Sequence, residues 1–273
     1  MSKKAWGCGT RHIAMAMLAC VLSACETSRV TSTVHPGADG ALTVPRSSAD
    51  VRRAAQTRLE LAAEYLRVGR NEVAIEEANQ ALALDSGLTD AYMVRGMAHA
   101  QRGDYVSAEA DFSRILRAKS NDPDVLHNYG GLLCQLRRFD EAITYFDRVL
   151  AMPGQAAAAR TLMAKGLCLQ GAGQTRAAVA TLEQAYRVDP RNPVVAYNLA
   201  KMHYDAGQVS QAQIYLRPLN SSDMANAETL WLGIKVENAM GNLLGVRELG
   251  SALVQRFPQA RETTLYERGA FYE

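Results

Sequence analysis

The chain has 273 residues, 48% hydrophobic and 21% charged, with neither glycine nor proline in excess. That composition is globular and rich in helix formers, which excludes a disordered or collagen-like chain and favours an all-α fold. The formal net charge is +2, and Lys3, Lys4 and Arg11 all sit ahead of Cys25, in a stretch that holds no acid. Without those three, 27 basic side chains face 28 acidic ones. No basic surface remains to bind nucleic acid.

The three early charges form a positive amino-terminal region ahead of an apolar run, 13–24. About 20 apolar residues are needed to span a bilayer, so this shorter run suits the core of a signal peptide instead. It ends in Leu22-Ser23-Ala24-Cys25. Small residues before a cysteine resemble the bacterial lipobox, which predicts a lipoprotein signal peptide over 1–24 and lipidation at Cys25. Several acyl chains, at roughly 0.8 kcal/mol per buried methylene, would anchor the chain firmly. Glu26 follows Cys25. In lipoproteins of diderm bacteria an Asp at this place is the usual inner-membrane retention signal. Its absence points to the outer membrane, with the chain on the periplasmic face. Residues 25–50 carry Thr, Ser, Gly and Pro with few large apolar side chains, and are expected to form a flexible tether.

A repeating frame occupies the rest, 51–273. Ala74, Ala108 and Ala142 are evenly spaced; the next step, to Ala178, is two longer, and the step to Ala212 returns to the first length. A large side chain follows four places later, as Phe112, Phe146 and Leu182 do, and glycines 96, 130 and 166 precede by twelve. A period of about 34 residues is the signature of tetratricopeptide repeats, paired helices stacked into a solenoid. The frame predicts an all-α right-handed superhelix of about six repeats, near 55–88, 89–122, 123–156, 159–192, 193–226 and 227–260. Pro218 falls late in the second helix of repeat five and is expected to kink or stop it near Leu216. Repeat six is degenerate, because Gly250 stands where a large residue is usual. A short capping helix is expected in 259–273, since a solenoid needs a polar end.

In such arrays the first helices line a concave surface through roughly the second, fifth, ninth, twelfth and thirteenth positions. These positions give Leu59, Ala63, Leu66, Met93, Met97, Gln101, His127, Gly131, Cys134, Gln135, Met163 and Leu167, followed by Tyr197, Lys201, Tyr204, Trp231 and Lys235. Asn128 and Tyr129 join the candidate partner-binding groove with His127. The first half is mostly apolar and rich in methionine, which suits an adaptable contact with a peptide or helix.

Catalytic chemistry finds little support. His99 and His203 fall at equivalent helix positions and are expected to be packed residues. No His, Cys and carboxylate set has metal-ligand spacing, and no phosphate loop or nucleophile elbow occurs. No cofactor, metal or catalytic residue is expected. Cys134 and Cys168 are expected to be unlinked small apolar residues, although a disulfide is conceivable in an oxidising compartment.

Two segments carry a closer resemblance. Residues 126–133, Leu-His-Asn-Tyr-Gly-Gly-Leu-Leu, followed by Arg138-Phe139-Asp140-Glu141-Ala142, resemble the third repeat of the PilF/PilW type IV pilus biogenesis lipoproteins. Residues 230–235, with the later Arg256-Phe257-Pro258, resemble that family's degenerate last repeat. The resemblance implies a pilotin: an outer-membrane lipoprotein, expected to be a monomer, that binds the secretin subunit of the type IV pilus and promotes its assembly. It also implies that the first repeats make the secretin contact. The alternative is a lipid-anchored scaffold of the same fold serving outer-membrane protein assembly or the cell wall.

Overall fold

A computed structural model describes residues 47–153 and 158–272. The signal segment, Cys25 and the expected tether as far as residue 46 lie outside the described residues. Thirteen α-helices and no strand are found among the described residues. They form six consecutive pairs and a cap: α1 Ser48–Arg67 with α2 Asn71–Leu84, α3 Thr89–Gln101 with α4 Tyr105–Ala118, and α5 Pro123–Gln135 with α6 Phe139–Leu150. There follow α7 Ala158–Gly171 with α8 Thr175–Val188, α9 Pro193–Asp205 with α10 Val209–Asn220, α11 Ala227–Ala239 with α12 Leu243–Arg256, and α13 Arg261–Glu267. No described helix is long and apolar enough to cross a membrane.

Local chemistry sets the helix boundaries. Ser47 and Asp50 form a capping box that starts α1 a few positions ahead of the expected domain boundary. Asp122 and Asn192 cap α5 and α9, each followed by a proline that lacks only a hydrogen bond no helix start would make. Every first helix ends in the same way. The residue after the turn returns its N–H to the last turn of the helix: Arg70 to Tyr65, Asp104 to His99, Arg138 to Leu133, Gln174 to Leu169, Gln208 to His203 and Asn242 to Glu237. The turn itself needs a left-handed backbone, supplied by Gly69, Gly103, Gly173, Gly207 and Gly241. In repeat three Arg137 takes that conformation, with φ 60°.

Steric fit joins the two helices of a repeat. The alanines at 74, 108, 142, 178 and 212 are all fully buried. Phe112 packs over Gly96, Phe146 over Gly130 and Leu182 over Gly166, so closely that a methyl on any of these glycines would crowd the facing side chain. Between repeats one and two, Arg95 donates to both carboxylate oxygens of Asp111 at 2.8 and 2.6 Å and also reaches Asn79 on α2. That fork ties α2, α3 and α4 together.

Repeat six reverses the sizes. Ile234 stands where the other repeats carry Gly or Ala, and Gly250 stands where repeats two to five carry Phe or Leu. Tyr266 of α13 enters the space over Gly250. The cap behaves as the truncated first helix of a seventh repeat. It packs on α11 and α12, and it ends with the same bond, from Ala270 N–H to Leu265 O, beside the left-handed Gly269.

Pro218 does not end its helix: α10 runs on to Asn220. The expectation of a stop near Leu216 is corrected by the residues around it. Leu216 and Leu219 are both buried and hold the last turn on the core, the Ser221 hydroxyl donates to Arg217 O, and Asn220 reaches across to Thr229 O. So close to the helix end, proline removes one bond without ending the helix.

Candidate functional site

The first helices pack against one another, α1 on α3, α3 on α5, α5 on α7 and α9 on α11, whereas no comparable packing joins second helices among the described residues. The first-helix layer is therefore the tighter one, and it forms the inner face of the curve.

At about 100° per residue, the contacts of α5 show which side faces inward. Tyr129 points to the second helices. It is buried, its hydroxyl donates to Glu109 of α4 at 3.3 Å, and its ring meets Tyr145 of α6 edge-on at 4.9 Å. Gly130 faces Phe146 of α6. Asn128 donates to the sulfur of Met93 on α3 at 3.2 Å, and His127 Nδ1 lies 3.0 Å from Thr161 Oγ1 on α7. Gly131 falls between those two directions, opposite Tyr129, and so lies on the inner face. Asp124 and Gln135 share that side, and Asp124 accepts from Arg160 of α7 at 2.6 Å.

The predicted groove residues thus divide. Met93, Met97, His127, Asn128, Gly131 and Met163 are half-buried on the first-helix layer, while Ala63, Gln101 and Gln135 are exposed. Leu59, Leu66 and Tyr129 are buried, with 7%, 8% and 7% of their surface accessible. Leu59 belongs to the core that runs through repeats one to three, and Leu66 packs with Ala74 and Ala98. These three side chains are taken up in packing behind the groove and present almost no surface to a partner.

The second half has a different character. Tyr197, Lys201, Tyr204, Trp231 and Lys235 gather with Asp205, Glu228 and Glu262 around a hollow of about 160 Å³. Lys201 pairs with Asp205 at 2.7 Å, and Lys235 lies over the rings of Tyr204 and Trp231. Burial, with the like charge of Lys201, holds the Lys235 ammonium below the usual lysine range. Its charges are mixed and partly spent on each other, in contrast to the methionine-lined first half.

Burial, assisted by the nearby Arg160 guanidinium, pushes His127 down to about 4, so the imidazole in the groove is neutral near pH 7. His203 is buried as expected, stacked on Tyr215 with its Nδ1 2.7 Å from Gln208 Oε1.

The cysteines depart from expectation. Cys134 and Cys168 form a disulfide between α5 and α7, with Cα atoms 5.7 Å apart. α5 and α7 lie directly side by side, and although Cys168 stands two places before the position equivalent to Cys134, the pair falls within disulfide range. Their sequence separation of 34 lies close to the repeat step of 36 at this point of the chain. It misses the exact repeat register by two places, and the close approach of α5 and α7 makes up the difference.

Tetratricopeptide-repeat models match residues 59–123, 121–191 and 169–229, together running over 59–229. The chain is 25% identical over 207 residues to the type IV pilus assembly protein PilF of Pseudomonas aeruginosa, covering 75% of this chain and 81% of that protein. It is 27% identical over 205 residues to cellulose synthase operon protein C of Pseudomonas fluorescens, but spans only 16% of that protein's length. Among solved structures, PilW, titled a widely conserved type IV pilus biogenesis factor, superposes with TM-score 0.68 at 29% identity, over 77% of this chain and 96% of that one. The Pseudomonas aeruginosa PilF structure superposes with TM-score 0.67 at 22% identity, over 80% and 99%, a likeness of fold.

Proposed function

The chain belongs to the tetratricopeptide-repeat proteins and is PilF/PilW-like, and from that premise we propose that it is a lipid-anchored pilotin of the type IV pilus. It binds the secretin subunit through the first half of its groove, accompanies it to the outer membrane, and promotes its assembly into a ring. Lipid on Cys25 supplies the membrane address, and residues 26–46, ahead of the α1 cap, supply reach. At about 5–6 Å times the square root of length, a coil of about 20 residues spans on the order of 22–27 Å. The observation that carries this proposal is the inner face of α3, α5 and α7, where Met93, Met97 and Met163 leave adaptable apolar surface exposed between polar groups that are already paired. The similarity to PilW over nearly all of that protein supports the assignment to pilus biogenesis. A protein-interaction role needs no catalysis.

The test is secretin location and multimer state in a strain carrying Cys25→Ala, beside a strain lacking the protein. The expected result is secretin monomer retained in the inner membrane in both. Multimers that form in the wrong membrane in Cys25→Ala would show that the groove assists assembly while the lipid supplies only the address. Normal secretin rings in the outer membrane of both strains would exclude the pilotin role and leave a lipid-anchored scaffold for other envelope machinery.

A further inference from the structure

A glycine inside a helix needs a reason, since it costs roughly 0.5–1 kcal/mol relative to alanine. Gly96, Gly130 and Gly166 each have one: a Cβ there would come within 3.2, 2.9 and 2.6 Å of Phe112, Phe146 and Leu182. Gly131 has none within the fold. A Cβ placed on it would meet nothing within 4 Å, and its backbone is not left-handed. Neither packing nor local geometry calls for glycine there.

Its position does suggest a use. Gly131 lies on the inner face of α5, where the equivalent places in the flanking repeats carry Met97 and Leu167. The missing side chain leaves a dent in the groove floor between those two large residues. Polar groups around the dent are already committed: His127 to Thr161, Asn128 to Met93, and Asp124 to Arg160. The apolar side chains around it are Met93, Met97, Met163 and Leu167, with Gln135 on the same side of α5. On one side the disulfide from Cys134 to Cys168 fixes the spacing of α5 and α7. We infer that Gly131 is a docking notch, kept open so that a large apolar side chain of the partner segment crossing α5 can enter the groove floor. The occupant is apolar because Met97 and Leu167 flank the position and Met93 and Met163 lie on the same neighbouring helices, and thioethers adapt to irregular apolar shapes. This inference rests on the proposal that the first half of the groove holds the secretin subunit.

The experiment follows the methyl resonances of Met93, Met97 and Met163 in the full chain as purified secretin subunit is added. Wild type, Gly131→Ala and Gly131→Leu are compared, together with thermal unfolding of each. The expected result is saturable shifts at those methionines in wild type. Gly131→Ala is expected to melt at higher temperature yet bind about tenfold more weakly, a hot-spot-sized loss, and Gly131→Leu to bind more weakly still. Unchanged affinity in a stabilised Gly131→Ala overturns the notch. Shifts confined to the neighbourhood of Tyr204 and Trp231 overturn the notch while leaving the secretin partnership standing. Binding nowhere on the wild-type chain overturns the partnership, and the notch with it. Shifts at the three methionines on deleting residues 26–46, without secretin present, would show the chain's own segment in the notch and overturn a partner as occupant.

Discussion

Tyr266 occupies the volume that a side chain at position 250 would need: a Cβ on Gly250 would lie 1.9 Å from Tyr266 Cζ. The last repeat thus gives up its own large residue and borrows one from the cap. Gly250→Ala should displace the ring and loosen α13, at a cost of about 1–3 kcal/mol partly offset by the better helix former. Hydrogen exchange of the α13 amides is the direct measurement. Protection of α13 equal to wild type in Gly250→Ala would refute the plug.

Two adjacent glycines should respond in opposite directions. A methyl at position 130 meets Phe146 Cε1 at 2.9 Å, and Phe146 is fully buried and has nowhere to move. Gly130→Ala should therefore destabilise the array by about 1–3 kcal/mol in urea unfolding, while the same change at 131 stabilises it. Equal effects at both positions would contradict the assignment of their faces.

The disulfide between Cys134 and Cys168 closes a loop with a sequence separation of 34. On chain-entropy grounds its loss should cost about 3–4 kcal/mol. Denaturant unfolding with and without reductant, alongside a Cys134→Ala/Cys168→Ala variant, measures this. A midpoint indifferent to reductant in the wild type, with both thiols titratable, would disprove the bond.

Acidity should weaken the fold through His127. Its folded value lies near 4 against about 6.5 for a free imidazole. Between those values the unfolded chain binds the extra proton, so stability is fully present above about pH 6.5 and falls as the pH drops toward 4. The ring is partly open to solvent, and screening reduces the effect to the order of 1 kcal/mol. Urea midpoints near neutrality and near pH 5, compared with His127→Gln, isolate it; an identical slope in the variant would assign the pH dependence to other groups.

The solenoid was legible because its rule is steric and local. Gly96 with Phe112, and Gly130 with Phe146, show small-against-large contacts that recur at a fixed period and meet in space as the frame requires. What escaped depends on how repeats stack. Consensus positions placed Leu59 and Leu66 in the groove, but in the first repeat α3 leans on α1 and both side chains are consumed in that packing. Tyr129 belongs to no inward position, and its hydroxyl instead finds Glu109. The cysteines sit two places out of repeat register, so their bridge depends on the tightness of the inner layer, which the spacing alone does not give. Arg137 also broke the frame without warning. A left-handed non-glycine costs roughly 1–2 kcal/mol, and its guanidinium over the Phe139 ring returns only part of that.

The bond between Cys134 and Cys168 also brackets the connection between α6 and α7. A protease that cuts once anywhere between those cysteines therefore severs the polypeptide without separating its halves. The nicked protein migrates as one species on a non-reducing gel and as two fragments after reduction. A cut outside the bracket releases its fragment under both conditions, so limited proteolysis maps on which side of the crosslink each susceptible site lies.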